Sequence, residues 1–321
     1  MQAMVVTAFG DADVFEEREV ETPTPGPTEV RVRVEATSVN PVDAKIRQAG
    51  SWANVSPPEI IGYDVSGAVD AVGEAVTEFA VGDEVFYTPE IFVGEGSNAE
   101  YHVADADVVA RKPPSLSHEE AAALPLAGGT AWDAVVERGD VEAGETVLIH
   151  GTGGVGSVAT QIALASGARV ATVSSPQTAP IVADLGADLV LDYTEDDVVE
   201  GVRSHFDAEE PIDLVVDTVG GTAVADSMDV LRPHGTAVTI QNPQGDVGAQ
   251  YTKNPTLELL FLERERYKLD GLRRLVERGH LDPVIDSVRS VRDVAAAHDD
   301  VEAGGLEGKI VLDVDFDGPQ G

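Results

Sequence analysis

Thr146-Val147-Leu148-Ile149-His150-Gly151-Thr152-Gly153-Gly154-Val155-Gly156 is the stretch on which the fold turns. Its first five residues are the short apolar, β-branched run that a fully buried strand needs. The glycines then keep the spacing G-x-G-x-x-G, and Val155, Val158, Ala159 and Ile162 line one face of a helix that Gly167 closes. Gly151 permits the tight turn, Gly153 lets the backbone approach a pyrophosphate, and Gly156 lets the helix pack close to the strand. The amides at the helix start have no partner in the helix, and its dipole favours an anion there. A glycine-rich turn can also bind nothing. The strand before this one and the helix after it favour a dinucleotide site made of Gly151, Thr152, Gly153, Gly154, Val155 and Gly156.

Outward from this stretch, strand patterns at 170–173, 189–191, 213–216 and 236–240 alternate with helical ones at 155–166, 179–185 and 222–231. Strands separated by helices predict a doubly wound parallel sheet of the Rossmann type, an α/β domain over 124–259. Residues 1–123 read differently. Val30-Arg31-Val32-Arg33-Val34 alternates apolar and charged residues, 65–72 and 83–87 look similar, and Pro23, Pro25, Gly26 and Pro27 mark a turn. This half predicts β-rich structure with few helices. Ser117 and Glu120 form a capping box at a helix start. The tail predicts helices at 267–278 and 291–301 and a last strand at 309–314.

The strand after the glycine loop decides the nucleotide. Where an NAD site usually presents an acidic residue to the ribose, this one ends Ser174-Ser175-Pro176-Gln177-Thr178, with no acid before Asp184. Two hydroxyls do not repel a 2′-phosphate, so NADPH is favoured over NADH. No Arg or Lys occurs between Arg169 and Arg203, so the customary cationic clamp is missing locally. The plainer reading of Ser174 and Ser175 is turn chemistry.

Composition narrows the function classes. The 321 residues carry 21 Lys+Arg against 58 Asp+Glu, a net charge of −37. No basic footprint exists for nucleic acid or for an anionic membrane surface. With 43% hydrophobic residues and recurrent Val-rich runs, the chain is not a disordered acidic tail. There is no cysteine, hence no disulfide, thiolate nucleophile or Cys-ligated zinc. No long apolar span or signal segment is visible, which makes a soluble cytoplasmic protein the default. So acidic a surface repels itself at low ionic strength and reads as adaptation to high salt, an ordinary acidic cytosolic protein being the alternative. The seven histidines share no metal-ligand spacing, and Glu195-Asp196-Asp197 and Asp299-Asp300 lack that of a calcium loop. No metal site is expected.

Several further stretches accompany the glycine loop: Asn40-Pro41-Val42-Asp43-Ala44-Lys45, Gly62-Tyr63-Asp64-Val65-Ser66-Gly67, Val81-Gly82-Asp83-Glu84-Val85, Ala121-Ala122-Ala123-Leu124-Pro125, Asp217-Thr218-Val219-Gly220-Gly221 and Gly308-Lys309-Ile310-Val311-Leu312. As a set, running in order along nearly the whole chain, they resemble the zinc-independent medium-chain dehydrogenase/reductases, and within these the quinone oxidoreductases related to zeta-crystallin. The resemblance implies a GroES-like, β-rich barrel catalytic domain from 1–123 and 260–321, with the Rossmann domain inserted at 124–259. It further implies an active site in the cleft between the two domains and a homodimer joined through the Rossmann domains.

In the zinc enzymes of this superfamily the catalytic ligands are a Cys, the His of a Gly-His-Glu motif and a later Cys or His. By resemblance those first two places fall near Asn40 and at Gly62-Tyr63-Asp64, so zinc-polarised alcohol chemistry is not expected. The implied reaction is hydride transfer from NADPH to an acceptor that is already electrophilic, a quinone or a small α,β-unsaturated carbonyl. Asn40 and Tyr63 would orient the acceptor oxygen, Asp43 would be the nearby acid or a structural partner, and Trp52 would stack on a planar ring. The plainer readings are an Asx-turn around Pro41, a core aromatic for Tyr63 and simple packing for Trp52. For the cofactor the resemblance adds Thr130, Tyr193, Thr218, Val219, Ile240, Gln241 and Asn242 to Ser174, Ser175 and Thr178. Thr178 stands where relatives often carry Lys. Lys309 would reach a cofactor phosphate, or else be a solvated surface charge. The competing functions are an alkenal or enoyl-thioester double-bond reductase and a non-catalytic cofactor-binding protein.

Overall fold

The computed structural model describes residues 1–317 except 94, 210 and 249; the last four residues of the expected catalytic domain, 318–321, lie outside the described residues. The chain divides into two units. The first comprises 1–126, 264–277 and 283–321, the second 127–263 and 278–282. The short return of 278–282 to the second unit carries no sequence signal that we recognise.

The first unit opens with strands β1 (Gln2–Val6), β2 (Phe15–Glu19), β3 (Glu29–Ser38), β4 (Glu59–Ile60), β5 (Val65–Val72), β6 (Glu84–Tyr87), β7 (Tyr101–Asp105) and β8 (Ala110–Arg111). Helices α1 (Pro41–Ala49) and α2 (His118–Ala122) belong to it too. The second unit holds α3 (Pro125–Trp132), in the main, and then β9 (Thr146–His150), α4 (Gly154–Ala165), β10 (Arg169–Ser174), α5 (Ala179–Asp184), β11 (Leu189–Asp192), α6 (Val198–Phe206), β12 (Ile212–Asp217), α7 (Ala223–Ser227), β13 (Leu231–Thr239) and β14 (Thr256–Leu259). The tail returns to the first unit with α8 (Arg266–Glu277), β15 (Ile285–Ser290), α9 (Val294–Ala303) and β16 (Lys309–Asp313).

In the first unit β16 pairs antiparallel with β3, so a late strand completes a sheet of early ones. That mixed sheet runs β15-β16-β3-β5-β6-β8, with β7 also on β3, beside a smaller sheet β2-β1-β4. Alternation explains β3: Val30, Val32 and Val34 are buried, while Arg31 and Arg33 point away and pair with Asp70 and Glu35. Helix α1 corrects the expectation of a simple turn at Asn40-Pro41. Pro41 takes a first-turn position, where its missing N–H costs nothing, and Asp43 Oδ2 accepts the Asn40 N–H at 3.0 Å.

In the second unit the order is β11-β10-β9-β12-β13-β14, with parallel neighbours throughout. Leu148, Ala171, Val173, Leu191, Val215 and Ala237 from five of these strands form one core with Val202, Phe206 and Val224 of the helices. The chain winds outward from β9 in one direction and from β12 in the other, so the order reverses between these two central strands. In parallel α/β sheets such a reversal is where a crevice forms at the carboxyl ends of the strands. The expected helix at 222–231 is shorter. Val224, Met228 and Leu231 share a helical face in period, yet Leu231 pairs with Ile212 as strand. Period alone does not separate the two for so short a run. The strands β14 and β15 and helices α3 and α6 were not anticipated at all. Among the described residues no helix is long and apolar enough to cross a membrane.

Candidate functional site

The glycine loop of the second unit joins β9 to α4 at the crevice. Gly151 has φ +85°, and a Cβ there would collide with the Thr218 hydroxyl and the Val219 side chain. A Cβ on Gly156 would strike the carbonyl oxygen of Gly151, so the helix start seats directly on the turn. Around Gly153 there is nothing within 4 Å of such a Cβ. The loop is therefore tight where it must pack and open where its backbone would meet a ligand. Thr152 donates its hydroxyl to Thr178 Oγ1 at 2.7 Å, which ties the loop to the turn after β10. Thr178 in turn contacts Ser175, its Oγ1 lying 3.1 Å from Ser175 Oγ and its N–H donating to that oxygen.

Of the other expected cofactor residues, those from β10 to β13 lie at the carboxyl ends of this sheet. Ser174 ends β10, and its buried Oγ has no hydrogen-bond partner among the described residues. Tyr193 follows β11, is 65% exposed, and donates its N–H to the Ser174 carbonyl. Thr218 and Val219 follow β12, and Ile240, Gln241 and Asn242 follow β13. Thr130 lies on α3 and is buried. The register sets Asp192 beside Ser174, a carboxylate that a separation of eighteen positions hid in the sequence; its Oδ1 accepts both the N–H and the hydroxyl of Thr194. His150, one of the seven histidines without metal-ligand spacing in the sequence, is the last residue of β9. Its Nε2 meets Ser227 Oγ at 2.7 Å, and burial pushes its imidazole down to about 4.

The first unit gathers the remaining candidates into a buried cluster. Asp64 accepts from Ser38 Oγ at 2.5 Å, Asn40 Nδ2 at 2.7 Å, Lys309 Nζ at 3.4 Å and the Leu126 N–H at 2.8 Å. Lys309 also donates to the Val39 carbonyl and to Asn40 Oδ1. This corrects two expectations. Lys309 is neither a phosphate clamp nor a surface charge: its ammonium is buried and spent on three oxygens of its own unit. Asn40 is buried with both ends of its amide held, so it has no hydrogen bond left to orient an acceptor. Sequence reasoning quoted Asp64 only as the residue after Tyr63 and missed it as the hub. A buried carboxylate demands donors, and here the fold brings them from β3, β16 and the start of α3.

Two neighbours of this hub stay uncommitted. The Asp43 Oδ1 and the Tyr63 hydroxyl are buried and without a hydrogen-bond partner among the described residues. Burial pushes the Asp43 carboxyl up to about 8, against the pull of the Lys309 ammonium. Burial raises the Tyr63 hydroxyl too, and the Asp43 charge adds to it. Trp52, 48% exposed, packs edge-on against Phe92 with ring centroids 6.2 Å apart.

These residues do not fit a catalytic zinc. The Asp64 oxygens already serve four donors, one of them an ammonium that would repel a dication. Among the described residues no three His, Cys, Asp or Glu side chains gather as a ligand set.

Comparison with known proteins agrees with this architecture. Residues 26–114 match the alcohol dehydrogenase GroES-like domain, and 185–312 match a family described as zinc-binding dehydrogenase. The chain is 31% identical to a quinone oxidoreductase from Lama guanicoe, covering 97% of each. It is 32% identical to a mitochondrial NAD(P)H oxidoreductase from Danio rerio, covering 98% of this chain and 91% of that one. The crystal structure of an alcohol dehydrogenase superfamily protein from Novosphingobium aromaticivorans superposes with a TM-score of 0.91 at 34% identity, over 98% of this chain and all of the other. The chain belongs to the medium-chain dehydrogenase/reductase superfamily, a family of NAD(P)-binding oxidoreductases, with quinone oxidoreductases among its relatives.

Proposed function

We propose that the protein is an NADPH-dependent oxidoreductase that reduces a quinone or a small α,β-unsaturated carbonyl without zinc. The observation that carries the reading is the loop at Gly151, Gly153 and Gly156, closed against its own unit yet open at Gly153, at the sheet's switch point. The names of the quinone oxidoreductase and NAD(P)H oxidoreductase relatives support it. When bound, the reduced dinucleotide supplies a hydride. Residues of the glycine loop and of the turns after β10, β12 and β13 would hold it, and the free amides at the start of α4 would favour its anionic pyrophosphate.

The acceptor then needs one proton on oxygen. Asp43 keeps a proton at neutral pH because its burial outweighs the Lys309 charge. The Tyr63 hydroxyl has no other partner among the described residues to compete for it. In this reading Asp43 is the acid, Tyr63 the donor to the acceptor oxygen, and Trp52 a flat apolar contact for the ring. Asn40, Asp64 and Lys309 hold the acid in place. NADPH is favoured because β10 ends in hydroxyls and the Asp192 Oδ1 is turned to Thr194.

The test is NADPH oxidation with 1,4-benzoquinone, 9,10-phenanthrenequinone and crotonaldehyde in molar KCl, repeated after chelator treatment. Turnover with the quinones that survives the chelator is expected. Turnover with the enal alone would transfer the reading to double-bond reduction, and binding of NADPH with no turnover would remove the enzymatic one. Ser175→Asp should lower the ratio of kcat/KM for NADPH over NADH by about 1 to 2 orders of magnitude, through a carboxylate beside a phosphate.

A homodimer is part of the same proposal. Strand β14 ends the sheet of the second unit, and its Leu257 and Leu259 are exposed, Leu259 at 70%. An exposed apolar edge strand is a template for pairing with a second copy.

A further inference from the structure

Asp217 ends β12 beside the crevice and is fully buried. Its Oδ1 accepts two backbone N–H groups, from Val219 at 2.9 Å and Gly220 at 2.8 Å. Its Oδ2 accepts the Thr239 hydroxyl at 2.7 Å, and its carbonyl accepts the Ile240 N–H at 3.1 Å. One side chain thereby ties the end of β12 to the end of β13 and bends the chain that follows. Gly220 and Gly221 continue that bend with φ +77° and +63°. On the other flank Thr218 donates its N–H and its hydroxyl to the His150 carbonyl, at 3.0 and 2.8 Å, which fastens the same turn to the end of β9. The result places Val219, itself 58% exposed, against Gly151, where a single added Cβ would collide with it.

We propose that Asp217 is a positioning residue for the dinucleotide: it sets the turn 218–221 and thereby fixes Val219 as one wall of the crevice beside the glycine loop. The inference rests on the proposed cofactor site. Burying a carboxyl group is costly unless donors meet it. A residue needed only to fill this space would be apolar. Collecting two adjacent amides and, on the far side, meeting a hydroxyl of the next strand takes a short side chain with an accepting oxygen and a second polar atom, which an apolar residue lacks. The geometry is thus specified at a cost in stability, at the place where the ligand would touch the sheet.

The experiment is NADPH binding by titration calorimetry, with steady-state kinetics and thermal melting, on the full chain and on Asp217→Ala and Asp217→Asn. Asp217→Ala is expected to raise Kd and KM for NADPH about tenfold, equivalent to about 1.4 kcal/mol. Its kcat at saturating NADPH should stay within about twofold, because the wall is met equally before and during reaction. Asp217→Asn should recover most of the lost affinity. Its amide oxygen can still accept both N–H groups, and its nitrogen can donate to Thr239 once that hydroxyl turns to the Gln241 carbonyl, 3.3 Å away. A lower melting temperature with unchanged Kd would reduce Asp217 to a structural role and overturn the inference. If Asp217→Ala does not accumulate folded, Thr239→Val is measured instead. A Kd raised about threefold, the loss of a modest hydrogen bond, sustains the proposal, and an unchanged one overturns it. Failure of the unaltered chain to bind NADPH would refute the cofactor site itself, which is a separate result.

Discussion

At the residue scale, two glycines three positions apart face opposite surroundings. Gly153 faces open space, so Gly153→Val leaves the fold intact and removes NADPH binding by blocking the ligand's approach. Gly156 faces a carbonyl oxygen, so Gly156→Val lowers the melting temperature before any ligand is added. Titration and melting of the two variants, side by side, check this; equal loss of stability in both would refute the open face at Gly153. Asp43 makes a second prediction. Its pKa is raised to about 8 by burial, so the folded chain keeps a proton that the unfolded chain has lost. Stability from this group is fully present below the ordinary carboxylate range and is lost as pH rises to about 8. Asp43→Asn removes that alkaline decline. It also lowers kcat by about 10² or more if the carboxyl group gives the acceptor its proton. Melting curves and rates from pH 5 to 9 read both effects.

At the element scale, short motifs carried more information than periodicity did. Ser117 and Glu120 cap α2 as their spacing required, Ser117 Oγ accepting the Glu120 N–H and Glu120 returning to the Ser117 N–H. The helix α1 went unseen because Asn-Pro is equally at home in a turn, and only the return of Asp43 to the Asn40 N–H separates the two. The edge strand β14 was hidden by its alternation of Leu257, Glu258 and Leu259, which is too short to read. Its exposure makes the third prediction. Leu259→Arg should shift the protein from dimer to monomer in sedimentation velocity at molar KCl, with the melting temperature little changed; a chain already monomeric before substitution would remove the dimer from the proposal.

At the scale of the whole molecule, charge dominates. A net of −37 on 321 residues makes the folded state repel itself, while ion pairs such as Arg47–Glu302 and Arg292–Glu17 use much of the scarce basic complement. Salt shortens the range of that repulsion. The melting temperature is therefore expected to rise steadily from low salt to molar KCl, with NaCl giving the same slope. A melting temperature indifferent to salt would mean that the acidic residues are too well spaced to repel.

The sequence by itself determined the Rossmann half, the glycine loop and the family, because these depend on neighbours in the chain: a strand, a turn that tolerates only glycine, and a helix, all within some twenty residues. It also placed most candidate cofactor residues at strand ends, since a parallel sheet puts every such end on one edge. Only the tertiary structure decided the chemistry of the buried groups. Asp64, Lys309 and Asn40 are separated by up to 269 positions yet share one hydrogen-bonded cluster, and Asp217 meets Thr239 only because β12 and β13 lie side by side. A side chain's charge state and its remaining hydrogen bonds are set by which groups surround it and how little water does, and those are properties of packing that no local pattern encodes.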